Sequence, residues 1–214
     1  MTLDITLYGI VDPQIGKGRS LASLARAAAD GGTTIIQYRA KEADTRAMIA
    51  EARAIVAALA GMNVPLLIND RVDAALASGA QGVHLGREDM HPADARALLG
   101  PKAIIGATVK NRADLLALHG QPIDYACIGG VFATSHKDNP DPPVGIDGFR
   151  ALRAEARELL GNIPVGAIAG ITAENAGSLM EAGADGVAVI GALFAGEDPA
   201  RAAKAFLPVL GRPA

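Results

Sequence analysis

The sequence predicts an α/β protein built as a closed (β/α)8 barrel, a single domain over residues 1–214. Three observations carry that expectation. Short runs rich in aliphatic and β-branched residues recur along the whole chain, and stretches with helical periodicity lie between them. Strands alternating with helices imply βαβ units and a parallel sheet. Eight such units in 214 residues leave roughly 27 residues per unit, short but sufficient for a TIM barrel.

The expected strands occupy residues 7–11, 34–39, 65–69, 82–85, 103–108, 125–129, 164–168 and 186–190. Ala-, Leu- and Arg-rich stretches at 47–60, 93–99, 149–160 and 200–210 have helical spacing. Gly31, Gly61, Gly79, Gly100, Gly161 and Gly183 follow helical stretches, where a left-handed terminating residue favours glycine. An internal echo supports repeated units: ASGAQGVHL at 77–85 and EAGADGVAV at 181–189 share one helix-end, turn and strand-start pattern. A doubly wound open sheet is the rival. It would usually carry a glycine-rich turn after the first strand, and the segment from Val11 to Gly18 lacks the GxGxxG spacing.

Composition narrows the function classes. Half the residues are hydrophobic, which excludes intrinsic disorder, while aromatic residues make up only 3% and Trp is absent. The core must therefore come from Ala, Val, Ile and Leu. A net charge of −3, with no block of like charge, argues against nucleic acid or an anionic membrane as partner. The lone Cys127 excludes an intrachain disulfide and any multi-cysteine metal site. The N-terminal segment lacks the basic and apolar regions of a signal peptide, and no apolar run approaches the ~18 residues of a membrane span. A soluble, cytoplasmic protein is expected.

The functional signal is positional. Polar residues gather after successive strands: Gln37, Arg39 and Lys41 after the second, Asn69 and Asp70 after the third, and Asp89 after the fourth. Thr108 closes the fifth, while Thr134 and Lys137 follow the sixth. In a (β/α)8 barrel these ends converge on the face that carries active sites. Gln37, Arg39 and Lys41 alternate along one face of an extended segment and together suit phosphate oxygens. The alternative is a solvated strand end paired with Glu42 or Asp44. Asp70 and Asp89 suit Mg²⁺, which takes one or two protein carboxylates and completes its shell with water and substrate phosphates. The alternatives are a helix N-cap for Asp70 and a solvated turn for Asp89.

After strands seven and eight the chain is small and apolar, with Gly170 and Gly191 where backbone N–H groups can hold a phosphate. Close packing alone would also explain these glycines. The Pro-rich polar stretch 135–143 suits a mobile loop on the active-site face, or a surface excursion. His84 and Cys127 read as interior residues, and His91 and His119 as helix-surface residues.

Taken together, the motifs resemble those of the thiamine phosphate synthase family. They are Gln37-x-Arg39-x-Lys41, Leu67-Ile-Asn-Asp70, Gly82-Val-His-Leu-Gly-x-x-Asp89, Gly129-x-Val-Phe-x-Thr-x-x-Lys137, Ala169-Gly-Ile171 and Glu181-Ala-Gly-Ala-Asp-Gly-Val187. Their order and spacing cover almost the whole chain. The resemblance implies a (β/α)8 barrel that joins 4-amino-5-hydroxymethyl-2-methylpyrimidine pyrophosphate to a thiazole phosphate and releases pyrophosphate. It implies that Gln37, Arg39, Lys41, Asn69, Thr108 and Lys137 serve the pyrophosphate pocket, and that Asp70 and Asp89 bind Mg²⁺. It places the thiazole phosphate with Thr134, His136, Gly170, Ile190 and Gly191. Both partners are small molecules, and oligomeric state is left open.

Three departures from the family pattern stand out. Thr108 occupies a position commonly Ser, His136 one usually Thr, and Ala169 with Gly191 replace a usual Gly and Ser. The pyrophosphate side is complete, and the changes concern the thiazole side or its neighbourhood. Two alternatives to the synthase are a thiazole tautomerase-like isomerase on the same barrel and a non-catalytic thiamine-phosphate-binding barrel.

Overall fold

The computed structural model describes residues 3–134 and 142–213. Eight parallel strands form a closed barrel in sequence order: β1 (Leu7–Val11), β2 (Ile35–Tyr38), β3 (Leu66–Asn69), β4 (Gly82–Leu85), β5 (Ile104–Val109), β6 (Tyr125–Ile128), β7 (Val165–Ile168) and β8 (Val187–Val189). The seam closes with Leu7, Tyr8 and Gly9 of β1 opposite Val187, Ala188 and Val189 of β8. The helices are α1 (Pro13–Gly16), α2 (Leu21–Asp30), α3 (Thr45–Ala58), α4 (Val72–Ser78), α5 (Pro92–Leu99), α6 (Arg112–Leu118), α7 (Gly145–Leu160), α8 (Ala173–Glu181), α9 (Gly191–Phe194) and α10 (Pro199–Phe206).

Alternation along each strand divides the core in two. Outward residues such as Leu7, Ile36, Tyr38, Leu66, Ile68, Val83 and Ile105 meet the helices. Inward residues, including Tyr8, Ile10, Ile35, Leu67, Tyr125, Cys127 and Ala188, fill the barrel itself.

The starts of the odd strands share one device. The N–H of Leu7 donates to Thr34 Oγ1, that of Leu66 to Gln81 Oε1, that of Ile105 to Asp124 Oδ2, and that of Val165 to Asp185 Oδ2. Each acceptor stands just before or within two residues of the following strand, so a side chain satisfies the backbone where the ladder begins. This explains the sequence echo, since Gln81 and Asp185 hold equivalent places in it. The glycines that follow them are equally constrained: a Cβ at Gly82 would sit 1.8 Å from the Ile104 carbonyl oxygen, and one at Gly186 1.9 Å from that of Ile5.

Element ends differ from the sequence reading for local reasons. Helix α3 starts two residues before position 47 because Asp44 caps it, its carboxylate accepting the Ala47 N–H at 2.9 Å. The helix expected over 200–210 ends at Phe206. Pro208 lacks an N–H to continue it and opens a 3₁₀ turn, Pro208–Leu210. Gly79, Gly100, Gly161, Gly61 and Gly183 have the positive φ anticipated, but Gly31 does not, at φ −84°. Gly31 is required for space instead: a Cβ there would lie 2.4 Å from the carbonyl oxygen of Ala200 in α10.

Candidate active site

Two cavities adjoin at the C-terminal ends of the strands. The first, about 410 Å³, is lined by Arg39, Lys41, Asn69, Asp70, Asp89 and Thr108, together with His84, Arg87, Lys110 and Asp114. The second, about 430 Å³, is lined by Thr134, Gly170, Ile190 and Gly191 among mostly small and apolar neighbours. Thr108 and Lys110 line both. The structure therefore separates the sequence-selected residues into one strongly charged half and one largely uncharged half.

In the charged half, neither cation takes the partner that a solvated strand end would supply. Strand β2 ends at Tyr38, and just beyond it Arg39 Nη1 lies 2.5 Å from Asp12 Oδ2. Lys41 Nζ, in the following turn, lies 3.6 Å from Asp70 Oδ2. Asp44 is occupied in capping α3. Gln37 sits deeper than the other two: it is 2% exposed inside the barrel and donates its amide to the Tyr8 hydroxyl.

The two carboxylates face each other. Burial raises the Asp70 pKa, the neighbouring Asp89 carboxyl raises it further by hydrogen bonding and like charge, and Lys41 partly offsets both. Asp70 has φ +63°, a left-handed conformation that aspartate tolerates better than most residues. It does not cap α4, whose N-cap is Arg71. Asp89 closes the turn after β4, its Oδ2 accepting the Gly86 N–H at 2.6 Å. No cluster of three or more His, Cys, Asp or Glu suited to a metal occurs among the described residues.

The second half is shaped by backbone. Gly170 has φ +66°, and a Cβ on it would lie 2.4 Å from the Ala133 carbonyl oxygen, so the β7 loop fits closely under the β6 loop. The Phe132 N–H donates to the Ala169 carbonyl at 3.2 Å, and Asn175 Nδ2 to the Gly170 carbonyl at 3.0 Å. Helix α8 begins only at Ala173, capped at Thr172, so Gly170 precedes the helix rather than opening it. Gly191 opens the single-turn α9. His136 and Lys137, with most of the 135–143 stretch, lie outside the described residues.

Several residues at the site escaped the sequence reading. Asp12 follows β1 and obeys the same strand-end rule that marked the others. Lys110 directly follows β5, which ends at Val109, and lies two residues past the 103–108 strand expected from sequence. Arg87 joins the β4 loop to the β5 loop, its Nε 2.9 Å from Oδ1 of buried Asp114, which also accepts the Lys110 N–H. His84 is interior as expected, bonded to Tyr125 and Thr108. Burial pushes the Cys127 thiol up to about 12, in keeping with a small interior hydrophobe. No helix of the described residues is long and apolar enough to cross a membrane.

Comparison with known proteins agrees with the motifs. A family model described as thiamine monophosphate synthase matches residues 7–193. A thiamine-phosphate synthase from Agrobacterium fabrum is 55% identical over 204 residues, 95% of this chain and 93% of that one. One from Azorhizobium caulinodans is 42% identical over 207 residues, 97% and 95% of the respective chains. The solved structure of a thiamine phosphate pyrophosphorylase from Pyrococcus furiosus is similar throughout, with a TM-score of 0.84 and 33% identity over 98% of this chain and 96% of that one. With its barrel, its strand-end motifs and the match over residues 7–193, the chain belongs to the thiamine monophosphate synthase family.

Proposed function

We propose that this chain condenses 4-amino-5-hydroxymethyl-2-methylpyrimidine pyrophosphate with 4-methyl-5-(2-phosphoethyl)thiazole, or with its carboxylate and accompanying loss of CO₂, giving thiamine phosphate and pyrophosphate in a Mg²⁺-dependent reaction. The observation that carries this reading is the pair of adjoining cavities meeting at Thr108, one charged and one small-residue and apolar. Such a pair suits an electrophile with a pyrophosphate leaving group beside a compact heteroaromatic nucleophile.

The donor set fits a divalent cation. Asp70 and Asp89 hold two carboxylates against each other, and a cation between them would relieve both the burial of charge and the like-charge contact that raise Asp70. Two carboxylates without a third protein ligand match Mg²⁺ completed by substrate phosphates and water. When bound, Mg²⁺ would supply charge neutralisation to the pyrophosphate as the C–O bond breaks.

The remaining chemistry falls to side chains. In a dissociative step the C–O bond breaks first, a pyrimidine cation forms, and negative charge grows on the departing pyrophosphate. The pyrimidine amino group stabilises that cation, so no general base is essential. Arg39, Lys41 and Lys137 neutralise the leaving group, with Gln37, Asn69 and Thr108 orienting it. Thr134, His136, Gly170, Ile190 and Gly191 hold the thiazole phosphate so that its ring nitrogen faces the electrophilic carbon. The new C–N bond then forms between the two halves of the site.

The test is a coupling assay with both substrates, in Mg²⁺ or in EDTA, with thiamine phosphate quantified. Product that requires Mg²⁺ supports the synthase. No product, combined with EDTA-insensitive isomerisation of a thiazole phosphate or with tight thiamine phosphate binding, would replace it with the isomerase or the binding barrel.

A further inference from the structure

Five polar side chains lie end to end through the barrel. The Gln37 amide donates to the Tyr8 hydroxyl, and the Tyr8 and Tyr125 hydroxyl oxygens are 2.9 Å apart. The Tyr125 oxygen is 2.8 Å from His84 Nδ1, and His84 Nε2 is 2.8 Å from Thr108 Oγ1. The series draws on β2, β1, β6, β4 and β5, and its first four members are at most 5% exposed. Burial raises both phenol pKa values, so the tyrosines stay protonated.

The simplest account is a satisfied polar core, since buried polar groups are normally hydrogen-bonded. Two features go beyond it. Space is cleared for the Tyr125 ring at the expense of β5: a Cβ at Gly106 would lie 2.0 Å from Tyr125 Cζ and 2.3 Å from its hydroxyl oxygen. A filler ring would need no phenol, and Phe would leave nothing to satisfy. The series also ends at Thr108, one of the two residues that line both cavities.

Counting hydrogens gives the series a direction. Each phenol has one hydrogen to donate. The Tyr8 hydroxyl has two partners, the Gln37 amide, from which it accepts, and the Tyr125 oxygen, so its own hydrogen is satisfied only by donating to Tyr125. The Tyr125 hydrogen then goes to His84 Nδ1, which must be bare. A neutral imidazole with bare Nδ1 carries its proton on Nε2 and donates to Thr108 Oγ1. The hydrogen left over belongs to Thr108 itself.

We infer that Tyr8, Tyr125 and His84 are positioning residues, a directed hydrogen-bond wire that holds His84 as the Nε2–H tautomer and commits the Thr108 hydroxyl to donate into the junction of the two cavities. There it meets the leaving oxygen, where charge grows in the transition state. The inference deepens the synthase reading and rests on it for the identity of that oxygen. The wire itself is a property of the unliganded protein.

The experiment has two arms. In the first, ¹⁵N NMR of histidine-labelled protein without substrates reads the His84 tautomer, assigned by loss of its signals in His84→Gln. The expected result is protonated Nε2 and bare Nδ1, with Tyr125→Phe disturbing that state. In the second, Tyr125→Phe is placed in wild type and in Thr108→Val, with Thr108→Ser as the conservative control.

Tyr125→Phe should lower kcat about tenfold with little change in KM, the worth of one well-oriented buried hydrogen bond. The same change should cost nothing further in Thr108→Val, because the wire then has no terminus. Thr108→Ser, which keeps the hydroxyl, should keep the sensitivity to Tyr125→Phe whatever its own rate. If Tyr125→Phe does not fold, Tyr8→Phe one link further back gives the same cycle with a smaller loss. An Nδ1–H tautomer, or a penalty undiminished in Thr108→Val, overturns the wire. A wild-type protein without coupling activity overturns the synthase reading instead and leaves the NMR result standing.

Discussion

Arg39 and Asp12 form an ion pair, Nη1 to Oδ2 at 2.5 Å, with side chains only 15% and 6% exposed. The other Asp12 oxygen accepts the Gln14 N–H at 2.9 Å and caps α1. One carboxylate therefore anchors the loop after β1 and aims the guanidinium after β2. Asp12→Ala would leave a largely buried cation without its partner and a helix without its cap. We expect a loss of roughly 3 kcal/mol in urea unfolding. Arg39 would lose its aim but not its charge, so KM for the pyrimidine pyrophosphate should rise about tenfold, with kcat less affected. An unchanged KM would show that Arg39 needs no partner to reach its working position.

The metal reading makes a separate prediction. Asp89→Asn keeps an acceptor for the Gly86 N–H, bonded at 2.6 Å, but removes one of two facing charges. The fold should survive, because losing a like charge relieves Asp70 rather than straining it. A Mg²⁺ titration of turnover should shift to about 100-fold higher concentration, or activity should be lost, since Mg²⁺ relies on few protein carboxylates. Wild-type Mg²⁺ dependence in this variant would remove Asp89 from the metal site.

Much of this architecture was legible because strand periodicity and strand-end chemistry are local signals. Arg39, Lys41, Asp70 and Asp89 stand out in sequence since no strand core would choose them. Asp12 was equally local, but its partner Arg39 lies 27 residues on, and only the pairing of β1 with β2 brings the two together. The wire was not legible. Tyr8 and Tyr125 are 117 residues apart, and only barrel closure places their hydroxyls within 2.9 Å. Gly31 was misread for a similar reason, because its constraint comes from α10, at the other end of the chain.

Cys127 offers a check on the interior. Burial holds its thiol at about 12, so at pH 8 the thiolate fraction is about one part in 10⁴. Native protein should resist iodoacetamide at pH 8, and the urea-unfolded chain should react at one site. The same burial gives a stability slope. Cys127 and Tyr38 both have folded pKa values raised to about 12, from ordinary values of 9.0 and 10.0. The native state therefore binds more protons than the unfolded chain between pH 9 and 12. Their contribution is complete below pH 9 and is lost as pH rises towards 12. Urea midpoints that hold steady over that window would contradict this.

Ala169 carries the last prediction. It has φ +96°, a conformation that L side chains rarely adopt, immediately before Gly170 at φ +66°. A methyl in that region strains the backbone by about 1 kcal/mol or more. The strain is held in place by neighbours: Phe132 N–H binds the Ala169 carbonyl at 3.2 Å, and Asn175 Nδ2 binds that of Gly170 at 3.0 Å. Ala169→Gly removes the methyl without disturbing either bond. The greater freedom of glycine in the unfolded chain offsets part of the gain. We expect a net stabilisation of about 0.5–1 kcal/mol, a rise in Tm of about 1–4 °C. Because Ala169 lines the cavity proposed for the thiazole phosphate, KM for that substrate should fall or stay level while KM for the pyrimidine pyrophosphate is unchanged. A lower Tm would show that the methyl makes packing contacts worth more than the strain, and that the departure from the family's glycine is a stabilising one.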